Sequence, residues 1–184
     1  MMIMVVTNMT FERRWKHDIN FREILIFTHS KFSDQRGNLW SSFDSDLNQM
    51  LLDKTGINFG HDKFALNCKN VLRGIHGDNK SWKLVTAVYG KFFQVVVDCR
   101  LDSVSYLKYT TLDLDYKNPV SVLIPPGFGN SFLSMTDQSV YHYKLAYDGE
   151  YNDASNQFTY RWNDPRIGIS WPNNNPILSK RDAQ

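Results

Sequence analysis

Cysteine is scarce in this chain: two residues in 184, Cys68 and Cys99. That is too few for a disulfide framework. Both sit in apolar, strand-like text and are expected to be buried free thiols. Long apolar runs are missing too, and none suffices to cross a bilayer. The opening Met1 to Val6 is apolar, but the charged Phe11-Glu12-Arg13-Arg14-Trp15-Lys16-His17 follows it. A secretory signal places its basic region first and a small-residue cleavage site after. These absences point to a cytoplasmic protein. Excess charge is lacking as well: the formal net charge is +2, which makes neither nucleic acid nor a membrane surface an expected partner. The histidines His61, His76 and His142 are too scattered to show metal-ligand spacing. Helix signals are few. Asp46 is expected to cap one short helix over Leu47 to Lys54, ended by Gly56.

What the chain does have is aromatic and β-branched text broken by turns. Aromatics make up 14% of the residues, many alternating with polar neighbours as sheets require. Ile24 to Phe27, Leu39 to Phe43, Phe59 to Leu66, Asn70 to Ile75, Trp82 to Tyr89 and Lys91 to Cys99 read as strands. So do Leu107 to Leu114, Ser121 to Ile124, Phe132 to Thr136 and Val140 to Ala146. Many short strands at regular spacing imply an all-β fold, an antiparallel sandwich or barrel. The reading is one domain over residues 1–184. Residues 1–20 form a variable leader, and residues 160–184 an extended or lightly helical segment packed on the barrel mouth.

The chemistry centres on Val71-Leu72-Arg73-Gly74-Ile75-His76-Gly77-Asp78, with Lys83 close behind. In a strand, Arg73 and His76 point to opposite faces. They share a pocket only if Gly74 breaks the pleat or the strand lies at a rim. The polar turn Gly77 to Ser81 is expected to make a hairpin that brings Lys83 beside His76. A lysine there pushes the imidazole pKa down, which suits a base. In Tyr141-His142-Tyr143-Lys144 the tyrosines share one face, and His142 and Lys144 the other. The tyrosines are core with hydroxyls at the rim, or one phenol is a proton donor. The turn Pro125-Pro126-Gly127-Phe128-Gly129-Asn130 carries an asparagine, a poor transition-metal ligand, so no catalytic metal is expected.

In order along the chain, these segments resemble the deoxysugar-nucleotide 3,5-epimerases typified by dTDP-4-dehydrorhamnose 3,5-epimerase. The likeness is carried by Asp34-Gln35-Arg36-Gly37, Asn70 to His76, Lys83-Leu84-Val85, Val95 to Arg100 and Ile124 to Phe128. It continues through Trp162-Asn163-Asp164-Pro165, Ile167 to Pro172 and Leu178-Ser179-Lys180-Arg181-Asp182. It implies a cupin-type (jelly-roll) antiparallel β-barrel, a homodimer, and no cofactor or metal. It makes His76 the general base, oriented by Asp182, with Tyr143 the opposing acid and Lys83 near the sugar keto oxygen. Arg36 and Arg73 would face the diphosphate.

Several motifs depart from the family pattern. Its Phe-x-Glu is Leu39-Trp40-Ser41 here, its Gln-x-Asn is His61-Asp62-Lys63, and its Gly-Phe-Ala-His-Gly-Phe is Gly127-Phe128-Gly129-Asn130-Ser131-Phe132. With His76-Gly77-Asp78, these changes fall where nucleotide and sugar would lie, so His61, Lys63, Asp78 and Asn130 are expected at the substrate. The pattern is similar to a bacterial branch acting on GDP-4-keto-6-deoxy-heptose for capsule or lipopolysaccharide. The resemblance therefore implies an epimerase for that sugar. The alternatives are dTDP-4-dehydrorhamnose 3,5-epimerase itself, a sugar-nucleotide 3,4-ketoisomerase, or a non-catalytic sugar-nucleotide-binding paralogue.

Overall fold

A computed structural model describes residues 13–184; the part of the expected leader before Arg13 lies outside the described residues. The chain runs β1 (Arg13–His17), β2 (Leu25–His29), β3 (Lys31–Asp34), β4 (Gly37–Trp40), α1 (Ser45–Thr55), β5 (His61–Cys68), β6 (Leu72–Gly77) and β7 (Trp82–Tyr89). It continues with β8 (Lys91–Asp98), β9 (Tyr109–Asp115), β10 (Val120–Ile124), β11 (Phe128–Ser134), β12 (Gln138–Ala146) and β13 (Phe158–Thr159). Six strands form one sheet in the order β1-β2-β10-β7-β12-β5, and five form another in the order β13-β6-β11-β8-β9. Strands β3 and β4 make a separate two-stranded hairpin. The named pairings are antiparallel, and the two large sheets are jelly-roll-like without closing into one continuous barrel.

Side-chain alternation assembles three apolar layers. Between the sheets, Val85, Val122 and Tyr141 of the six-stranded sheet meet Phe92, Val96, Phe128 and Phe132 of the other. Their neighbours point outward. Leu84, Leu123 and Phe27 receive Leu47 and Leu51 of α1. Val95, Val97 and Leu133 receive Ile167 and Trp171 of the C-terminal segment. Because both faces are covered, these strands read as nearly continuous apolar runs.

Three local expectations are corrected. Asp44, not Asp46, caps α1: its carboxylate accepts the Leu47 N–H at 3.0 Å, which leaves Asp46 in the first turn. Cys68 is exposed because β5 is the edge strand of its sheet; Cys99 is buried. The turn between β6 and β7 is not a hairpin. Both edges of β6 are taken by β11 and β13, and both edges of β7 by β10 and β12. The chain crosses between sheets there. Asp78 holds the crossing by accepting the N–H groups of Lys80 (2.9 Å) and Ser81 (2.7 Å).

Candidate active site

A cavity of about 480 Å³ is walled by both large sheets and the C-terminal segment. His76 and Arg73 of β6 and Asn130 of β11 come from one sheet, and Lys83 of β7 and Tyr143 of β12 from the other. Asp182 is added by the C-terminal segment. Arg73 and His76 both line this space despite their odd spacing. Gly74 lies between them with φ +114°, and the β6–β11 register shifts opposite it, between Asn130 and Phe132. That departure from the regular pleat is what the shared pocket required.

His76 Nε2 lies 2.6 Å from Asp182 Oδ1, and the carboxylate side chain is only 3% exposed. Ser179 donates its hydroxyl to the other carboxylate oxygen at 2.8 Å. Burial pushes the Asp182 carboxyl up, but bonding from His76 and Ser179 outweighs it and holds the group below the usual carboxylate range. A carboxylate against Nε2 fixes the imidazole tautomer and the orientation of the ring. Nδ1 is left as the nitrogen that can take a proton.

Lys83 reaches the same place from the other sheet, its Nζ donating to the His76 carbonyl at 3.1 Å. Burial draws its pKa down to about 8, against the pull of Asp78. Tyr143 is raised well above an ordinary phenol by burial, with Arg73 pulling the other way, so it stays protonated and able to donate. Arg73, Arg181 and Lys63 add positive charge to the lining. Arg73 Nε is steadied by Asn67 (2.9 Å), Arg181 by Thr159 (2.7 Å), and Lys63 by the Tyr151 hydroxyl (3.0 Å). Against these cations stand only Asp153 and Asp182 among the lining carboxylates, so the cavity suits an anion.

The structure therefore brings together His76, Tyr143, Asp182, Lys83, Arg73, Lys63 and Asn130. Arg36 stays apart: it sits at the exposed turn of the β3–β4 hairpin and forks onto Asp34. His61 is outside the lining and packs edge-on against Tyr151, its Nδ1 2.9 Å from the Tyr147 hydroxyl. Asp78 serves the crossing turn and is outside the lining. His142 and Lys144 share Asp62 on the opposite face of β12. Ser179, Arg181 and Tyr151 carried no assignment beforehand. The spacing of Ser179 and Asp182 was the available signal for the first, since a serine three residues before an aspartate readily bonds it. Among the described residues, no group of three or more His, Cys, Asp or Glu is placed to hold a metal ion.

A base backed by a carboxylate, an ammonium and a neutral phenol around a cationic pocket can remove and return protons next to a carbonyl of an anionic substrate. Comparisons with known proteins agree. The family model described as dTDP-4-dehydrorhamnose 3,5-epimerase matches residues 18–184. A protein of that name from Escherichia coli K12 is 34% identical over 166 residues, covering 88% of each chain. Its counterpart from Salmonella typhimurium is 32% identical over 165 residues, again 88% of each. Among solved structures, the dTDP-6-deoxy-D-glucose-3,5-epimerase of Legionella pneumophila, in complex with dTDP-4-keto-L-rhamnose, superposes with a TM-score of 0.84. It is 28% identical, with 94% of this chain and 90% of that one covered. A 3'-monoepimerase from Streptomyces bikiniensis in complex with dTDP-quinovose gives 0.80 at 26% identity, covering 91% and 85%.

Proposed function

We propose that this chain, which belongs to the dTDP-4-dehydrorhamnose 3,5-epimerase family, inverts C3, C5 or both of a nucleotide-linked 4-keto-6-deoxy sugar without a cofactor. The observation that carries this reading is the pairing of His76 and Asp182 in a cationic cavity that Tyr143 and Lys83 enter from the other sheet.

The ketone acidifies the protons on C3 and C5. His76 removes one, and Asp182 steadies the imidazolium that results. Lys83, as the ammonium, stabilises the enolate oxygen; a donor of this kind is typically worth roughly 100- to 1000-fold in rate. Tyr143 returns a proton to the opposite face of the planar carbon. Arg73, with Lys63 and Arg181, neutralises the diphosphate. No redox partner is needed because the ketone is already in the substrate.

The relatives reported above are named for dTDP-linked sugars, which favours a thymidine-linked substrate over the GDP-linked heptose. The second reading, GDP-4-keto-6-deoxy-heptose for a surface polysaccharide, is supported by the chain's own departures. Asn130 stands in the cavity where the family motif has histidine, and His61 and Lys63 replace its Gln-x-Asn. The protein works as a homodimer in this reading. The β3–β4 hairpin supports it, standing apart from the large sheets with Phe32 and Leu39 exposed.

Incubation of each 4-keto sugar nucleotide in deuterated water tests the activity: exchange is expected at C3 or C5, and none with either nucleotide would refute it. A thermal shift with dTDP but not GDP, or the reverse, decides the base, because a ligand stabilises the folded state by mass action.

A further inference from the structure

Under the wall of the cavity, three buried polar side chains form a relay with a fixed direction. Gln94 of β8 is 0% exposed, Tyr141 of β12 0% and Asn130 of β11 6%. The main chain sets the direction. Gln94 Nε2 lies 3.0 Å from the carbonyl oxygen of Val95, which can only accept, so that side-chain atom is the donor nitrogen. The same nitrogen lies 2.6 Å from the Asn130 side chain, whose contacting atom must accept and is therefore Oδ1. Gln94 Oε1 in turn accepts the Tyr141 hydroxyl at 2.5 Å, and that hydroxyl also lies 3.3 Å from Asn130 Oδ1.

Both contacts to Asn130 thus use its oxygen. Its Nδ2 donates to no group among the described residues, and it is not one of the buried unpartnered side-chain atoms. Asn130 lines the cavity and is the ladder partner of His76 across β6 and β11. We infer that Asn130 determines specificity by presenting its amide N–H₂ to an oxygen of the bound sugar beside His76, and that Gln94 and Tyr141 are positioning residues that hold it in that sense. A carboxamide does not titrate, so this contact binds and orients without carrying a proton. Tyr141 is kept neutral as well, since burial raises its phenol well above the ordinary value. The identity of the ligand rests on the epimerase reading; the direction of the relay does not.

The test has two arms. In the free wild-type protein, side-chain amide NMR should show slowly exchanging Gln94 protons and fast-exchanging Asn130 protons; the reverse pattern overturns the orientation, whatever the substrate. In the second arm, Asn130→Ala, Gln94→Met and their double variant are compared by solvent exchange at C3 and C5, by binding of the nucleoside diphosphate alone, and by thermal unfolding. Asn130→Ala should lower kcat/KM by about tenfold while changing nucleoside diphosphate affinity by less than about twofold. Gln94→Met should act in the same direction, and the double variant should be no worse than Asn130→Ala. Wild-type exchange in Asn130→Ala, additive losses in the double variant, or lost nucleoside diphosphate binding in Gln94→Met overturns the inference. If the wild-type protein itself exchanges neither carbon of any substrate, the epimerase reading fails, and the NMR arm still decides the relay.

Discussion

Replacement of Lys83 by methionine should stabilise the protein while it slows the chemistry. Lys83 is 7% exposed and its pKa falls from 10.5 to about 8. That gap makes the buried ammonium cost about 3 kcal/mol of stability near neutral pH. The hydrogen bond to the His76 carbonyl returns about 1 kcal/mol. Methionine fills similar space without the charge, so the variant should be more stable by about 2 kcal/mol at neutral pH. The sign with pH follows from the lowered pKa. Below about 8 both folded and unfolded chains hold the proton and the cost is full; between about 8 and 10.5 the unfolded chain holds a proton that the folded one has released, and the cost fades. Guanidinium unfolding of both proteins across that interval should show the advantage of the variant vanishing, while all other titrations cancel in the difference. A difference that does not change with pH, or a variant less stable at neutral pH, would refute the reasoning. Solvent exchange should fall roughly 100- to 1000-fold in the variant. In the wild type it should decline above pH about 8; a rate still climbing well above that would remove the ammonium from the oxyanion.

Asp182→Asn leaves a neutral partner on His76 and should slow exchange at C3 and C5 by roughly 100-fold; a rate near wild type would deny the carboxylate its role. The Asp182 carboxyl lies below its ordinary 3.8, so its contribution to stability is fully present above that pH and is lost as pH falls through the folded value. Acid unfolding of Asp182→Asn should therefore show a shallower pH dependence than the wild type. At Gly74 an added Cβ would meet the Asn130 carbonyl oxygen at 2.5 Å with φ at +114°, so Gly74→Ala should cost about 3 kcal/mol or more in denaturant unfolding. A thiol reagent should label Cys68 alone in the folded protein, because Cys99 is buried and its thiol is pushed up to about 12; two labels without unfolding would contradict this.

Strand text was legible because it depends on neighbours: Trp82 to Tyr89 appears as read, and most other strands lie within a few residues. Sheet membership was not, since the turn after His76 looks the same whether it closes a hairpin or crosses between sheets. Gly129 and Asn130 read as turn residues yet lie in β11. A glycine is needed at 129 because a Cβ would come within 2.4 Å of Ile75 Cγ2, a close approach between strands that only the fold reveals. Two acidic residues flank the start of α1, and local text does not rank Asp44 above Asp46. In the site, the period of two put Tyr143 on the face opposite His142. The partnership of His76 with Asp182 joins distant parts of the chain, and nothing but the resemblance suggested it. Arg181 had no role legible in the sequence, because a cation's partners at Gln157 and Thr159 leave no trace in spacing.

His76 and Tyr143 ride on opposite sheets, and what separates those sheets is the aromatic filling of Phe92, Phe132 and Tyr141. The hydrophobic core is thus a spacer that sets how far the Tyr143 phenol stands from the His76 imidazole. A change of volume in that filling, made without touching a polar atom, alters the gap in which a flattened carbon must be reached from both sides. Under the proposed mechanism, stereochemical outcome is therefore open to tuning from within the greasy interior, as a vernier is turned from behind the dial.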